Sequence, residues 1–224
     1  MKAAIFDIEG TTTSIAFVYE VLFPYARAAI PAYLADRWED PEVQRAARLM
    51  GADGSPEACA ARALELMDAD VKDTGLKVLQ GLVWEGGYRS GAITGHVFDD
   101  VLPAFARLAA AGVTLAIYSS GSVPAQKLIF GYSSAGDLTP YVRAYFDTTT
   151  GPKKAAASYL TIAQALGVAP AEALFLTDHP DEARAAREAG LDVRLMARPG
   201  NPPLTIAGDS APFDVWSDFE GLGA

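Results

Sequence analysis

Three short apolar runs, Ala3–Phe6, Val113–Tyr118 and Ala173–Thr177, each stop at a polar side chain. They are too short for helices and suit strands buried on both faces. The first stops at Asp7, with Glu9, Gly10 and Thr11 to Thr13 behind it. The second stops at Ser119-Ser120 and the third at Asp178. Helical patterns lie between and after them: Asp99–Ala111 closed by Gly112, Val123–Phe130, Ala155–Leu166 closed by Gly167, and Asp181–Ala189 closed by Gly190. Tyr141–Thr150, Val193–Met196 and Phe213–Trp216 read as further strands or extended segments. This alternation predicts an α/β fold with a Rossmann-like parallel sheet and right-handed crossovers. Open sheets of this kind present ligand-binding groups at their carboxyl ends. If the runs are neighbouring strands, their terminal residues converge on one edge.

Between Ala16 and Gly95 there is no strand signal. Val18, Leu22, Tyr25 and Ala29 fall on one helical face, and Pro24 and Pro31 limit how regular that helix can be. Further helical faces follow to about Gly86, and Gly86-Gly87, Gly91 and Gly95 mark the return. The expected organisation is an α/β core of residues 1–15 and 96–224 carrying an all-helical cap insertion, residues 16–95. Arg198 to Pro203 reads as a loop.

Composition narrows the partners. With 18 basic against 28 acidic residues the net charge is −10, which argues against nucleic acid and anionic membrane. The single cysteine, Cys59, cannot form an internal disulfide and fits a reducing cytoplasm. Met1-Lys2 leads directly into the first strand, so no signal peptide is expected, and no apolar segment reaches membrane-spanning length.

A strand-end carboxylate can attack as a nucleophile or bind a metal, and phosphate esters require both. Taken singly, each residue has a plainer use. Asp7 and Asp178 can cap turns, Ser119-Ser120 can cap a helix, Lys153 and Lys154 can be a solvated pair, and Asp181 and Glu182 can be first-turn acids favoured by the helix dipole. The ordered set is more specific than any member. Two carboxylates about a Mg²⁺ ion, a hydroxyl near a helix start and one lysine would together neutralise a phosphoryl group.

The order of aspartate, serine, lysine and acid resembles the haloacid dehalogenase superfamily of phosphohydrolases. DIEGTTTSI, FVYEVLFPYA (Phe17 to Ala26), IYSSGSVPAQKLIFG (Ile117 to Gly131), FDTTTGPKKAAASY (Phe146 to Tyr159) and FLTD (Phe175 to Asp178) look like the enolase-phosphatases of methionine salvage. The resemblance runs from Lys2 to Pro199 and weakens across Glu39 to Gly75. It implies Asp7 as nucleophile and Mg²⁺ ligand, Glu9 as acid/base with its carbonyl on the metal, and Asp178 as the remaining metal ligand. It also implies Ser119 and Ser120 as phosphate-binding residues, and Lys153, rather than Lys154, as the catalytic and substrate-binding lysine. Glu9 stands where most of the superfamily has aspartate, and His179-Pro180 departs from the family pattern. The implied reaction enolises 2,3-diketo-5-methylthiopentyl-1-phosphate and then hydrolyses the phosphate to leave an acireductone. One Mg²⁺ per subunit, a monomeric state and a small phosphorylated metabolite as the only partner complete the expectation.

The enolisation base stays open, with Glu9 as one hypothesis. Trp84, Tyr88 and His96 are candidates for an apolar pocket around the methylthio end, or else core residues of the insertion. Two rival readings are a related phosphatase acting on another small phosphorylated metabolite, and a catalytically silent binding protein on the same fold.

Overall fold

A computed structural model describes residues 1–204 and 213–223. The strands are β1 (Ala3–Phe6), β2 (Thr114–Tyr118), β3 (Val142–Phe146), β4 (Ala173–Thr177), β5 (Asp192–Met196) and β6 (Asp214–Trp216). They form one six-stranded sheet in the order β3-β2-β1-β4-β5-β6, every pair parallel. β1 is thus central. Its four residues are all fully buried, as expected of a strand covered on both faces. The strand order reverses between β1 and β4, and at that switch point the connections leave a crevice at the carboxyl ends.

Helices α1 (Phe23–Arg37), α2 (Pro41–Leu49), α3 (Pro56–Asp68) and α4 (Thr74–Arg89) all precede β2. α5 (Val101–Ala110), α6 (Val123–Gly131), α7 (Ala156–Leu166) and α8 (Pro180–Glu188) alternate with the strands. The chain divides into two compact units, residues 1–16 with 95–224, and residues 17–94.

Each unit has its own core. One face of the sheet buries Ile5, Tyr118 and Phe175 with Tyr159 and Ile162 of α7. On the other, the Phe6 ring packs 5.0 Å from Phe105 and 5.4 Å from Phe219. Each such buried aromatic contributes roughly 1.5–3 kcal/mol. Residues 17–94 close around Ile30, Leu34, Val43, Ala47, Cys59 and Leu79.

Two details of the helical unit differ from the sequence reading. Its first helix begins with a π-helical turn, Phe17–Leu22, which widens the repeat before α1. The buried stripe is therefore Val18, Leu22, Ala26, Ile30 and Leu34, with Tyr25 and Ala29 half-buried at its margin. Pro24 falls in the first turn of α1, where a missing N–H costs little, and Pro31 sits on an exposed position. Gly86 and Gly87 do not mark a return loop. They lie inside α4, which runs on to Arg89. Gly87 is there for space: a Cβ would come within 2.6 Å of the Ile93 side chain and 2.8 Å of the Tyr25 ring.

Gly87→Ala should therefore lower stability by about 1–3 kcal/mol, despite alanine's better helix propensity. Chemical denaturation checks it; a stabilised variant would contradict this packing.

Candidate active site

β2, β1 and β4 lie side by side, and the first residue beyond each is polar: Ser119, Asp7 and Asp178. The parallel register continues one step past β1, because the Asp7 N–H donates to the Leu176 carbonyl at 2.9 Å. Asp7 is 5% exposed, and its neighbours set its geometry. Its Oδ1 accepts from the Ile8 N–H at 2.8 Å and pairs with Lys153 Nζ at 2.7 Å. The same Lys153 nitrogen pairs with Glu182 Oε2, also at 2.7 Å. The Thr177 hydroxyl stands 3.0 Å from Asp7 Oδ2 and 3.0 Å from Glu182 Oε2. It has one proton, so it can donate to only one carboxylate at a time.

Lys153 is held by its backbone. Tyr118 Oη donates to the Gly151 carbonyl (2.9 Å), Ser158 Oγ to that of Pro152 (2.8 Å) and Tyr159 Oη to that of Lys153 itself (2.6 Å). Gly151 has a positive φ of 147°, and a side chain there would run into the Ser158 hydroxyl. Lys154 instead points outward to an exposed pair with Asp181, 3.0 Å away.

Burial would push the Lys153 ammonium down, but the charges of Asp7 and Glu182 outweigh it and leave its pKa raised. Burial, and next the Asp7 charge, push Glu182 up to about 8. Burial and the charge of Asp7, with Glu9 adding to them, push Asp178 up to about 7. Acids thus outnumber the one ammonium here. That is the electrostatic setting in which a divalent cation binds.

The loop after Asp7 is tightly folded. Thr11, Thr12 and Thr13 are fully buried, and their N–H groups converge on the Ile8 carbonyl at 2.9–3.1 Å. Gly10 has φ 74°, and a side chain there would overlap the Asp178 carboxylate, so its backbone walls that group in. Glu9 is exposed beside it. Asp7, Asp178 and the Glu9 carbonyl are hard oxygen donors of the kind Mg²⁺ takes, alongside water and substrate phosphate. Among the described residues no three acidic, imidazole or thiolate side chains form a ready-made metal cage.

Ser119 is buried and Ser120 exposed, but neither caps the helix that follows. Ser122 does, accepting from the Ala125 N–H at 3.4 Å. The Ser119–Gly121 loop is held by Gln126, whose Nε2 donates to the carbonyls of Gly121 (2.7 Å) and Phe146 (2.8 Å).

The His179-Pro180 departure has a structural reason. His179 caps α8, its Nδ1 accepting from the Asp181 N–H at 3.2 Å, and Pro180 takes the first helical position. His96 belongs to the α/β unit, where its Nδ1 accepts from the Ser14 N–H at 3.1 Å. Trp84 and Tyr88 belong to the helical unit. Tyr88 is buried, and Trp84 donates its indole N–H to the Leu22 carbonyl at 2.8 Å.

Sequence reasoning missed Glu182 and Thr177. Glu182 read as a first-turn acid on α8, and Thr177 as the last residue of an apolar strand. The signal was positional: Glu182 lies one helical turn after Asp178 at the start of α8, so the helix turns it back toward the strand end.

Two outcomes follow. Gly10→Ala should fold yet lose activity at least tenfold, because the new Cβ displaces Asp178 and φ is strained; unchanged turnover would contradict this packing. In chelator, the raised Asp178 and Glu182 keep protons in the folded state that the unfolded chain has already released. Stability should therefore fall as pH rises from about 4 toward 7–8. Melting temperatures across that range check the sign.

Comparison with known proteins agrees with this geometry. A sequence model of the haloacid dehalogenase-like hydrolases matches residues 1–190. The enolase-phosphatase E1 of Synechococcus elongatus is 52% identical over 214 residues, covering 89% of this chain and 90% of that protein. That of Drosophila mojavensis is 47% identical over 236 residues, covering 99% and 94%. Among solved structures, the UTR4 protein of Saccharomyces cerevisiae superposes with a TM-score of 0.85 at 39% identity, covering 99% of both chains. By sequence identity, by coverage and by fold, the chain belongs to the enolase-phosphatase E1 family of the haloacid dehalogenase-like hydrolases.

Proposed function

We propose that this protein is a Mg²⁺-dependent enolase-phosphatase converting 2,3-diketo-5-methylthiopentyl-1-phosphate to the acireductone and phosphate. The observation that carries the reading is Asp7: a buried carboxylate at the central strand end, set by Lys153 and Thr177, within the electrostatic reach of Asp178. A silent binding protein has no need of such a set. The carboxylates of Asp7 and Asp178 and the carbonyl of Glu9 would hold Mg²⁺, which would supply positive charge for the phosphoryl oxygens and for an enolate.

In the first stage the carbon bearing the phosphate ester gives its proton to a base, and the electron pair moves to the neighbouring carbonyl oxygen to leave an enolate. Glu9, exposed beside the site, is the base in this reading. In the second stage an Asp7 oxygen attacks phosphorus. The bond from phosphorus to the ester oxygen breaks, and that oxygen takes the proton Glu9 gained in the first stage. Water then attacks the aspartyl-phosphate and gives its proton to Glu9, which releases it to solvent, and phosphate and the Asp7 carboxylate are freed. Lys153 holds the Asp7 carboxylate in place and offsets charge, and Ser119 and Ser120 receive the phosphoryl oxygens beside the start of α6.

In this reading residues 1–15 and 96–224 form the catalytic core and residues 16–95 the helical cap insertion, supported by the separate core of each unit. We further infer a monomer working in the cytoplasm. Cys59 is a buried free thiol, and among the described residues no helix is long and apolar enough to cross a membrane. Light scattering that returned a dimer mass would overturn the monomer.

Phosphate release from the diketo ester should vanish almost completely in Asp7→Asn and in wild type with chelator. Ultraviolet absorbance of the enol product separates this enzyme from a phosphatase for another ester. Glu9→Gln should lower the enolisation rate about 100-fold or more; enolisation at the normal rate would remove Glu9 as the base.

A further inference from the structure

The loop after β5, Arg198-Pro199-Gly200-Asn201, has no part in the chemistry described so far, yet it grips residues 11–15, the segment that follows Asp7, at both ends. Arg198 has a side chain only 2% exposed. Its Nε donates to the Thr11 carbonyl at 2.7 Å. One terminal nitrogen pairs with Asp100 Oδ2 at 2.6 Å and donates to the Ser217 carbonyl at 3.2 Å. The guanidinium lies 4.0 Å from the centre of the Phe219 ring and 4.7 Å from that of Phe98. Asn201 takes the other end: its Oδ1 accepts from the Ile15 N–H at 3.1 Å. The loop thus holds the carbonyl at the start of Thr11–Ile15 and the N–H at its end.

What lies between and beside those grips is the site. Thr12 Oγ1 donates to the Asp7 carbonyl at 3.0 Å, and Gly10, bonded to the Thr13 carbonyl at 2.8 Å, walls in Asp178. A shift of the 11–15 backbone would move both carboxylates. Ile15 is also the last residue but one of the first stretch of the α/β unit.

We infer that Arg198 and Asn201 are positioning residues for phosphoryl transfer, acting through the backbone of residues 11–15. The inference rests on the function proposed above. The clamp works by geometry, so its loss lowers kcat rather than substrate binding.

Asn201 is the residue to test, since Arg198→Ala would leave Asp100 without its cation and weaken the fold. Asn201→Ala removes the acceptor for the Ile15 N–H. Asn201→Asp keeps an acceptor there and exchanges an Nδ2 that has no partner among the described residues for a carboxylate oxygen. With the Mg²⁺-loaded enzyme and the diketo ester, Asn201→Ala should lower kcat about tenfold, with KM within about twofold of wild type and the melting temperature little changed. Asn201→Asp should recover most of the rate. In parallel, hydrogen exchange of the Ile15 amide should quicken in Asn201→Ala and return toward wild type in Asn201→Asp. Wild-type kcat in Asn201→Ala, a loss shared equally by both variants, or unchanged Ile15 exchange would overturn the inference. If wild type itself releases no phosphate from the diketo ester, the proposed function fails, and the exchange measurement still decides whether the clamp exists.

Discussion

One buried ammonium organises this site. Lys153 lies between Asp7 and Glu182 at 2.7 Å from each, and all three side chains are less than a tenth exposed. A buried carboxylate without a partner would take up a proton and lose its nucleophilicity. At Asp7 the lysine is that partner, 2.7 Å away. The cost is visible in the neighbours: Asp178 and Glu182 are both pushed toward neutrality by burial and by the charge of Asp7.

The sheet makes that arrangement possible. Asp7 and Asp178 flank the point where strand order reverses, so their side chains meet at an open crevice rather than under a crossover. Their backbones belong to the most buried strands of the molecule. The pieces that complete the site come from loops, but each loop is tied to the frame. Tyr118, Ser158 and Tyr159 hold residues 151–153, Gln126 holds 119–121, and Arg198 and Asn201 hold 11–15. Preorganisation of this kind lets charges act without rearranging during the reaction.

Glycine serves two different purposes around this frame. Gly10 and Gly151 adopt positive φ and also press against a side chain that must not move, Asp178 in one case and Ser158 in the other. Gly87 has ordinary helical geometry and is required only for space in the helical unit. The residue type is the same, and only the local packing separates a hinge of the site from a notch in a core.

The strands and their order of residues were legible from the chain because short apolar runs ending in acids or serines carry a strong local pattern. The family followed from motifs contiguous in sequence, such as DIEGTTTSI and FLTD. The helical character of residues 17–94 was equally plain, but its exact buried stripe was not, since a π-helical turn shifts the register and leaves no compositional mark. Thr177, Arg198 and Asn201 carried no local mark as parts of the site, and Glu182 only its spacing of one helical turn from Asp178. An acid in the first turn of a helix, or an arginine in a proline-glycine loop, looks the same whether it faces solvent or a lysine far away in the chain. Local periodicity reports which face is apolar; it holds no information on which distant groups share that face's end. That pairing was decided by tertiary structure alone, because it depends on strand order and crossover packing, where charge and burial act through space rather than along the chain.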